Sequence, residues 1–340
     1  MTDRSSLTRR SFVGAAGATA AAFTFPAIAL GAEPRTLSFA YDQPRETAYG
    51  IFADKFGEKL AELSKGALKV QGYPSAQLGS EPEAAQKVRS GDVDFTINAA
   101  ANAATIAPQI AVFSLEYLYA DEKLLEKSVL DPGINDTVRK LIRSTATGAI
   151  ALGMIMQTGL RNMYAKFPVA SVNDIKGKKV RVQATATEDA FMNAYGALPT
   201  HMAFGQVYTA LQTGVVEVAE NGIGTYLSNK HYEVAPALSL TQHEANNNVI
   251  LVSEKTWNSF DRNQQRWVEQ AFAVAQHYEV PKSLEIDRES LDKLRKLGVS
   301  ITTSVDKKSF SNIARPIIDK QATALGPFAE QILKQIRALG

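Results

Sequence analysis

An arginine inside an apolar strand is the first feature of the chain that could do chemistry. The segment "KGKKVRVQ", residues 176–183, predicts an extended strand whose two valines share one face. Arg181 then lies on the other face with Lys179 and Gln183. Because a buried guanidinium is costly without a partner, Arg181 either pairs with an internal carboxylate, lies at a solvated end of the sheet, or binds an anionic ligand. The planar guanidinium fits a carboxylate with two parallel hydrogen bonds, which lysine cannot make.

Other side chains with catalytic or metal-binding chemistry are few. The chain of 340 residues has no cysteine, which excludes disulfides, thiol catalysis, zinc–thiolate sites and iron–sulfur clusters. None of the histidines has the H-E-x-x-H spacing of a zinc hydrolase; they are His201, His231, His243 and His277. There is no G-x-S-x-G elbow and no Walker loop, and "NGIGTYLSN" lacks the third glycine of a dinucleotide fingerprint. We predict no catalytic residue, no metal and no cofactor.

The N-terminal segment is typical of a cleaved export signal. It contains "TRRSFV", which resembles the twin-arginine export motif, followed by a mild Ala/Gly-rich apolar run. We predict that residues 1–32 are a signal peptide, cleaved after a position between Ala29 and Ala32, and that the protein is periplasmic. An ordinary export leader with a chance arginine pair and an uncleaved anchor are the alternatives.

The body of the chain carries no excess charge. The formal net charge is +2, and residues 1–32 hold three arginines against one aspartate, so the remainder is neutral. A neutral body without a long basic run argues against nucleic acid as a partner. No stretch after the leader approaches the ~20 apolar residues that span a bilayer. A composition of 45% hydrophobic and 21% charged residues is that of a globular protein with one large or two medium domains.

The rest of the chain suggests two α/β cycles. In the first, "RTLSFAYD", "ALKVQGYP" and "DVDFTI" predict strands, and the segments between them predict helices, the second with a capping box of Ser80 and Glu83. The second cycle begins near residue 150 with "GAIALGMIMQ", a strand-like run that periodicity alone does not distinguish from a buried helix. It continues through the Arg181 strand to "VVEVAENG". This order predicts an α/β fold with a largely parallel sheet.

Equivalent helix–glycine–strand junctions in the two cycles place two asparagines at corresponding strand ends. When Gly91 is aligned with Gly214, Asn98 falls opposite Asn221. Ligands of open parallel sheets lie outside the carboxyl ends of the strands, so the pair predicts a cleft between two lobes. The alternative is coincidence, since helix–glycine–strand joints are common.

The C-terminal region predicts mainly helices. "DRNQQRWVEQAFAVAQHYEV" carries an apolar stripe, and Pro281 should kink or end this helix. "VSITTS" predicts a late strand, and the final helices run from Ser309 to Ala338. Such a C-terminal segment could pack across both lobes and connect them at the hinge.

Several stretches, taken in order, resemble a known family. They are "YPSAQLGSEPEAAQKVRSGDVDFT", "DIKGKKVRVQ", "GALPTHMAFGQVYTALQTGVVEVAEN" and "KHYEVAPALSLTQH". They are similar to the solute-binding proteins of TRAP (tripartite ATP-independent periplasmic) transporters, the DctP-like family, and the likeness covers about residues 37–300. The resemblance implies a two-lobed periplasmic-binding-protein-like fold with a ligand cleft between the lobes and a long bridging helix. It also implies a ligand that is almost always an organic acid.

The resemblance assigns roles to particular residues. The carboxylate-binding arginine of the family matches Arg181, its helper arginine matches Arg161 in "TGLRN", and its pocket asparagine matches Asn221. The other predicted ligand contacts, each of which could equally be packing or surface residues, are Asn98, Gln183, Tyr41, Gln43 and Arg45.

Departures from the family pattern bear on the ligand. Sialic-acid binders of the family carry Glu at the position of Ala99 and Asn at the position of Ala184. The loss of two polar groups disfavours a polyhydroxylated sugar acid, so we expect a smaller or more apolar acid. A C4-dicarboxylate would need a second cation, for which Arg45 is the candidate. The usual Asp-Gly of the family is replaced here by Glu217-Val218.

These observations predict a monomeric receptor, not an enzyme, that delivers a small organic acid to the membrane subunits of a TRAP transporter. We predict that lobe I comprises residues 33–156 and about 247–283, and lobe II residues 157–246 and about 284–340. The alternatives are a binding protein of another importer such as an ABC system, a partner of a sensor kinase, and a secreted two-lobed hydrolase or lyase.

Overall fold

One mixed sheet runs through the protein. The computed structural model describes residues 33–340, and the predicted signal peptide lies outside the described residues. Within that range the sheet has nine strands in the order β2-β1-β3-β8-β4-β7-β5-β6, and β9 pairs with β8. The strands are β1 (Arg35–Ala40), β2 (Leu68–Tyr73), β3 (Phe95–Ala99), β4 (Ala149–Ala165), β5 (Lys179–Val182), β6 (Leu198–His201), β7 (Val218–Asn221), β8 (Ala237–Ser253) and β9 (Ser300–Thr302).

Helices connect the strands and cover the sheet. The α-helices are α1 (Ala48–Leu63), α2 (Glu81–Ser90), α3 (Ala100–Ala103), α4 (Glu122–Leu130), α5 (Pro132–Thr145), α6 (Ala186–Ala194), α7 (Val207–Thr213), α8 (Ile223–Ser228), α9 (Glu254–Ser259), α10 (Arg262–Lys296), α11 (Lys307–Leu325) and α12 (Pro327–Leu339). Short 3-10 turns lie at Pro108–Ser114, Val172–Ile175, Phe204–Gln206 and His231–Glu233. None of these described helices is both long enough and apolar enough to cross a membrane.

Two long antiparallel strands join the halves of the sheet. β4 and β8 are 17 residues each and pair with one another, with a register shift between Met156 and Leu160. On one side of this shift β8 pairs with β3, and on the other β4 pairs with β7. The strands β1, β2 and β3 of the first cycle are mutually parallel, as are β5, β6 and β7 of the second. The two predicted α/β cycles are therefore the two lobes, linked by β4 and β8.

Most predicted elements are present. The capping box at the start of α2 forms, with the backbone N–H of Ser80 donating to the Glu83 carboxylate at 2.8 Å. "GAIALGMIMQ" is a strand, the first part of β4, and every residue of β4 is buried. Burial on both faces explains why its sequence shows no alternation.

Helix α10 is the long bridging helix of the two-lobed fold. It spans 35 residues and continues through Pro281 for about four more turns. Of the two predicted effects of this proline, a kink or an end, the end is wrong. It packs against α1, β4 and α8. The Asp287 carboxylate accepts hydrogen bonds from the backbone N–H groups of Gly159 at 2.8 Å and Gly224 at 2.7 Å, which ties α10 to β4 and α8.

The C-terminal helices pack on elements from both cycles. α12 lies against α4 and α5, and α11 lies against α6 and β8. Residues 34–340 form one compact unit, so the exact boundaries of the two lobes stay a prediction.

Candidate functional site

A cavity lies at the carboxyl ends of β1, β3, β5 and β7. Its outer part, the outer cavity, has a volume of about 460 Å³, and a narrow inner cavity of about 10 Å³ adjoins it. Both parts are lined by the same four residues, which are Asp42, Glu81, Asn102 and Phe204. Polar strand ends therefore converge on one space, as the Asn98–Asn221 alignment predicted for a cleft.

The Arg181 side chain lines the inner cavity and has no ion-pair partner among residues 33–340. The residue is 2% exposed. Its Nη2 and Nε donate to the Met202 carbonyl oxygen at 3.0 and 3.3 Å, and its guanidinium lies over the Phe204 ring at 5.8 Å from the centroid. No carboxylate of residues 33–340 lies within ion-pair distance of it. Burial excludes the solvated sheet end, and the internal ion pair is absent within that range.

Arg161 lies in the same inner cavity but is paired internally. Its Nη2 donates to the Glu220 carboxylate at 2.6 Å, and its Nε donates to the other oxygen of the same carboxylate. The Glu244 carboxylate lies 3.5 Å from Nε. Arg161 and Glu220 are each only 2% exposed, so this is a buried bidentate ion pair.

The pKa values of the acidic groups behind the two arginines shift in opposite directions. Burial acts to raise the pKa of Glu220, but the Arg161 charge outweighs it and lowers that pKa. Burial raises the pKa of Glu244 to about 8, and it also raises the pKa of Glu188 well above its usual range. Glu220 therefore favours its ionised form beside Arg161, whereas burial favours the neutral form of Glu244 and Glu188.

The two asparagines at equivalent strand ends have different surroundings. Asn221 ends β7 and lines the inner cavity, where its Oδ1 accepts hydrogen bonds from Asn246 Nδ2 at 3.0 Å and from the backbone N–H of Gly222 at 2.8 Å. Asn98 donates to the Glu81 carbonyl at 2.6 Å and does not line either cavity. Its Oδ1 is buried without a hydrogen-bond partner among the described residues. Only one of the pair thus reaches the space where a ligand would lie.

Close packing fixes the position of Asn221. A side chain at Gly222 would collide with Thr158 of β4, so glycine allows the end of β7 to approach β4 closely. Asn246 of β8 donates to the Thr158 hydroxyl at 3.0 Å as well as to Asn221. The amide of Asn221 is therefore held by groups from two long strands.

The remaining predicted ligand contacts fall in different places. Gln183 lines the inner cavity, and its backbone N–H donates to the Glu188 carboxylate at 2.6 Å. Gln43 also lines the inner cavity, and its Oε1 accepts from Asn229 Nδ2 at 3.0 Å, which joins the two lobes.

Tyr41 and Arg45 lie away from the cavity lining. Tyr41 is buried and packs edge-on against Phe39 and Tyr49. The Arg45 side chain is 69% exposed and pairs with Asp54 at 3.0 Å on the surface. Neither residue lines the outer or the inner cavity, and their role as ligand contacts stays a prediction.

Two acidic residues on the first lobe, Asp42 and Glu81, were not predicted from the sequence. We call these two acids and the adjacent Asn102 the carboxyl wall. We call Arg161, Arg181 and Asn221 the arginine wall, and all six residues line the inner cavity. Asp42 follows the carboxyl end of β1, so the rule that drew attention to Asn221 also applied to Asp42. Glu81 is the first residue of α2, where an acidic residue is expected for helix stability alone.

A cluster of Glu220, His243 and Glu244 has ligand atoms within 4.8 Å of one another. The Arg161 guanidinium already bonds to Glu220 and lies 3.5 Å from Glu244, so a positive charge occupies the place that a cation would take. This arrangement does not suit a metal ion.

Comparison with known proteins agrees with the geometry. Residues 39–324 match the family model described as bacterial extracellular solute-binding protein, family 7. The C4-dicarboxylate-binding periplasmic protein DctP of Rhodobacter capsulatus is 28% identical over 324 residues, covering 94% of this chain and 96% of that protein. The sialic acid-binding periplasmic protein SiaP of Vibrio cholerae is 28% identical, covering 79% of this chain and 87% of that protein.

Solved structures show the same architecture. A TRAP periplasmic solute-binding protein from Xanthobacter autotrophicus Py2, crystallised with bound β-D-galacturonate, superimposes with a TM-score of 0.83 at 29% identity. The match covers 89% of this chain and 99% of that chain. The two-lobed fold with a long bridging helix, predicted from the sequence, is confirmed.

Proposed function

Because this chain belongs to family 7 of the bacterial extracellular solute-binding proteins, the family of the TRAP periplasmic solute-binding proteins, we propose that it is the receptor of a TRAP-type transporter for a small organic acid. The similar proteins are named for organic acids as different as C4-dicarboxylates and sialic acid. The function is binding and delivery, not catalysis.

Arg181 makes the main contact with the ligand carboxylate in this proposal. The observation that carries it is a buried guanidinium on the wall of the inner cavity, with no carboxylate of the described residues within ion-pair distance of it. A buried charge of this kind is costly unless a counter-ion compensates it. A ligand carboxylate that accepts two parallel hydrogen bonds supplies that counter-ion and restores neutrality.

Arg161 and Asn221 support this contact in different ways. Glu220 compensates the charge of Arg161, so Arg161 offers its remaining Nη1 N–H without being left unpaired when the ligand departs. Asn221 has its Oδ1 engaged by Asn246 and Gly222, which leaves its NH₂ group available to donate towards the cavity. Both residues thus present fixed donors to a carboxylate.

Ligand entry requires the walls to separate. The inner cavity has a volume of about 10 Å³, which is about the room needed for one water molecule. We propose that the lobes, with the boundaries predicted above, open about the irregular part of β4 between Met156 and Leu160. Closure on the acid would then favour the conformation that docks on the membrane subunits.

The proposal places the receptor in the periplasm after export by the twin-arginine route. The curated relatives DctP and SiaP are named as periplasmic proteins. Since the family couples uptake to an ion gradient, the proposed partners are two membrane subunits and no ATPase. Co-purification of the receptor with membrane subunits encoded beside it tests this part of the proposal.

Thermal unfolding with a panel of organic acids tests the central assignment. The panel contains monocarboxylates, dicarboxylates, keto acids, sugar acids and aromatic acids. At least one acid should raise the Tm of the wild-type protein, and Arg181→Ala should abolish that rise. Lys179→Ala is the matched control, because Lys179 is an exposed cation on the same strand. Equal stabilisation of wild type and Arg181→Ala would refute the assignment.

A further inference from the structure

One side-chain hydrogen bond crosses the cleft from the first lobe to the second. Asn229 Nδ2 donates to Gln43 Oε1 at 3.0 Å. Gln43 lines the inner cavity and Asn229 lines the outer cavity. Among the described residues that line either cavity, no other hydrogen bond and no ion pair joins the two lobes. We call the Gln43–Asn229 hydrogen bond the interlobe contact.

The first-lobe side of the interlobe contact is held firmly. The Gln43 side chain is buried, and its Nε2 donates to the Asp42 carboxylate at 3.0 Å. The backbone carbonyl of Gln43 accepts from the N–H of Ser75 at 3.0 Å. Both ends of the Gln43 amide are thus engaged within the protein, which suits a contact between the lobes better than a contact with a ligand.

The second-lobe side is held by the end of helix α8. Asn229 follows the last residue of α8, and its Nδ2 also donates to the Thr225 carbonyl at 3.0 Å. The next residue, Lys230, has a φ of 56°, in the left-handed region that commonly ends a helix. The Asn229 amide is therefore oriented by the last turn of α8 as well as by Gln43.

Helix α8 connects the interlobe contact to the arginine wall. It begins two residues after Asn221, and its own position is fixed by two hydrogen bonds. The N–H of Gly224 donates to Asp287 of α10 at 2.7 Å, and Gln157 Nε2 of β4 donates to the Thr225 hydroxyl at 2.9 Å. The start of α8 thus carries a proposed ligand contact, and its end carries the bond to the other lobe.

Building on the proposed function, we propose that the interlobe contact holds the closed lobes together around a bound acid and thereby sets how fast the acid leaves. Gln43 and Asn229 belong to different lobes, so their hydrogen bond must break when the walls separate. Since an acid in the inner cavity leaves only after opening, a weaker closed state increases its rate of dissociation. Both residues are positioning residues for closure.

Stopped-flow fluorescence between dyes on the two lobes tests this inference. The chain has no cysteine, so introduced cysteines are the only labelling sites. Gln86→Cys on α2 and Gln212→Cys on α7 place the dyes at exposed positions on equivalent helices of the two lobes. Succinate, pyruvate, butyrate, D-galacturonate, D-gluconate and benzoate are first compared by thermal unfolding. The acid that raises the Tm of the wild-type protein most is the probe in every kinetic measurement.

The variant Asn229→Ala should release the probe acid faster. We expect its dissociation rate constant to rise by about two- to tenfold, the range for loss of one hydrogen bond between neutral groups. Its association rate constant should stay within about twofold of wild type, because encounter precedes closure. Asn258→Ala is the matched control, since Asn258 is an exposed asparagine on α9, which has six residues like α8.

A double-mutant cycle separates the interlobe contact from a purely local role of Asn229. In a Gln43→Ala background the contact is already absent, so Asn229→Ala should increase the dissociation rate constant by less than about 1.5-fold. An equal increase in both backgrounds would show that Asn229 acts only on the end of α8 and would overturn the inference. An unchanged dissociation rate constant in the single variant Asn229→Ala would also overturn it.

The outcomes distinguish this inference from the proposed function. If an acid stabilises wild type but not Arg181→Ala, and Asn229→Ala releases it at the wild-type rate, the inference fails and the proposed function stands. If none of the six acids raises the Tm of the wild-type protein, the proposed function is contradicted and the inference fails with it.

Discussion

The arginine wall and the carboxyl wall each contain two ionisable side chains, basic on one wall and acidic on the other, that differ in their number of partners. On the arginine wall, Arg161 is locked by Glu220 while Arg181 has no acidic partner among the described residues. On the carboxyl wall, Glu81 is fixed by three donors, while Asp42 accepts from one donor among the described residues. In each lobe one buried ionisable side chain is thus held by its neighbours, and a second one has fewer partners. We propose the side chains with fewer partners as the ligand contacts.

Removal of Glu220 should have the largest effect on stability, since it takes away the carboxylate that bonds to two nitrogens of the buried Arg161 and leaves only Glu244, 3.5 Å from Nε. We expect Glu220→Gln to lower the free energy of unfolding without ligand by about 3–5 kcal/mol, as for other broken buried ion pairs. Arg181→Ala leaves no described carboxylate without its ion-pair partner, so it should lower the free energy of unfolding clearly less. Urea denaturation of both variants checks the contrast. Equal costs would show that Arg161 and Arg181 do not differ as described.

The same contrast should appear, at smaller size, on the carboxyl wall. Glu81→Gln disturbs the hydrogen bonds from Tyr49, Asn102 and Ala99, so we expect a loss of about 1–3 kcal/mol in the free energy of unfolding. Asp42→Asn should be neutral or stabilising, because burial already raises the pKa of Asp42 well above its usual range and asparagine keeps a neutral side chain of the same size. A larger loss for Asp42→Asn than for Glu81→Gln would reverse the roles assigned to the two acids.

The acid behind the arginine wall should give stability a pH dependence. Burial raises the pKa of Glu244 from 4.5 to about 8, so between these values the folded state binds more protons than the unfolded state. Its contribution to the free energy of unfolding must therefore fall as the pH rises from about 5 to 8. Glu244→Gln cannot ionise, and the wild type should lose stability relative to this variant across that window. A constant difference from pH 5 to 8 would mean that Glu244 is ionised throughout.

Replacement of Arg45 should have the smallest effect. Its side chain pairs with Asp54 in an exposed position, where ion pairs contribute little. We expect Arg45→Ala to bind the best acid of the panel with unchanged affinity in calorimetric titration. A marked loss of affinity would restore Arg45 as a ligand contact and place a second cation beside the carboxyl wall.

The arginine wall could be predicted from sequence because its signals are local. Arg181 interrupts an alternating strand, and Asn221 ends a strand that follows a helix–glycine joint, so periodicity and family resemblance both indicate them. The partner of Arg161 could not be predicted in the same way, since Glu220 lies 59 residues away and only strand pairing brings it close.

The carboxyl wall and the long elements were harder to predict, for physical reasons. Glu81 has the appearance of an ordinary acidic residue in a first helical turn, and its contact with Asn102 exists only after α2 and α3 pack. β8 contains a run of buried polar residues, including His243, Glu244 and Asn246, that resembles a loop in composition. Pro281 suggested a helix end, although helix α10 continues through it.

A crystal structure of the complex with the tightest-binding acid of the panel tests the account most directly. The account predicts both carboxylate oxygens of the ligand within hydrogen-bonding distance of the Arg181 guanidinium. A ligand whose carboxylate lies away from Arg181, with Arg181 still bonded to the Met202 carbonyl, would contradict it.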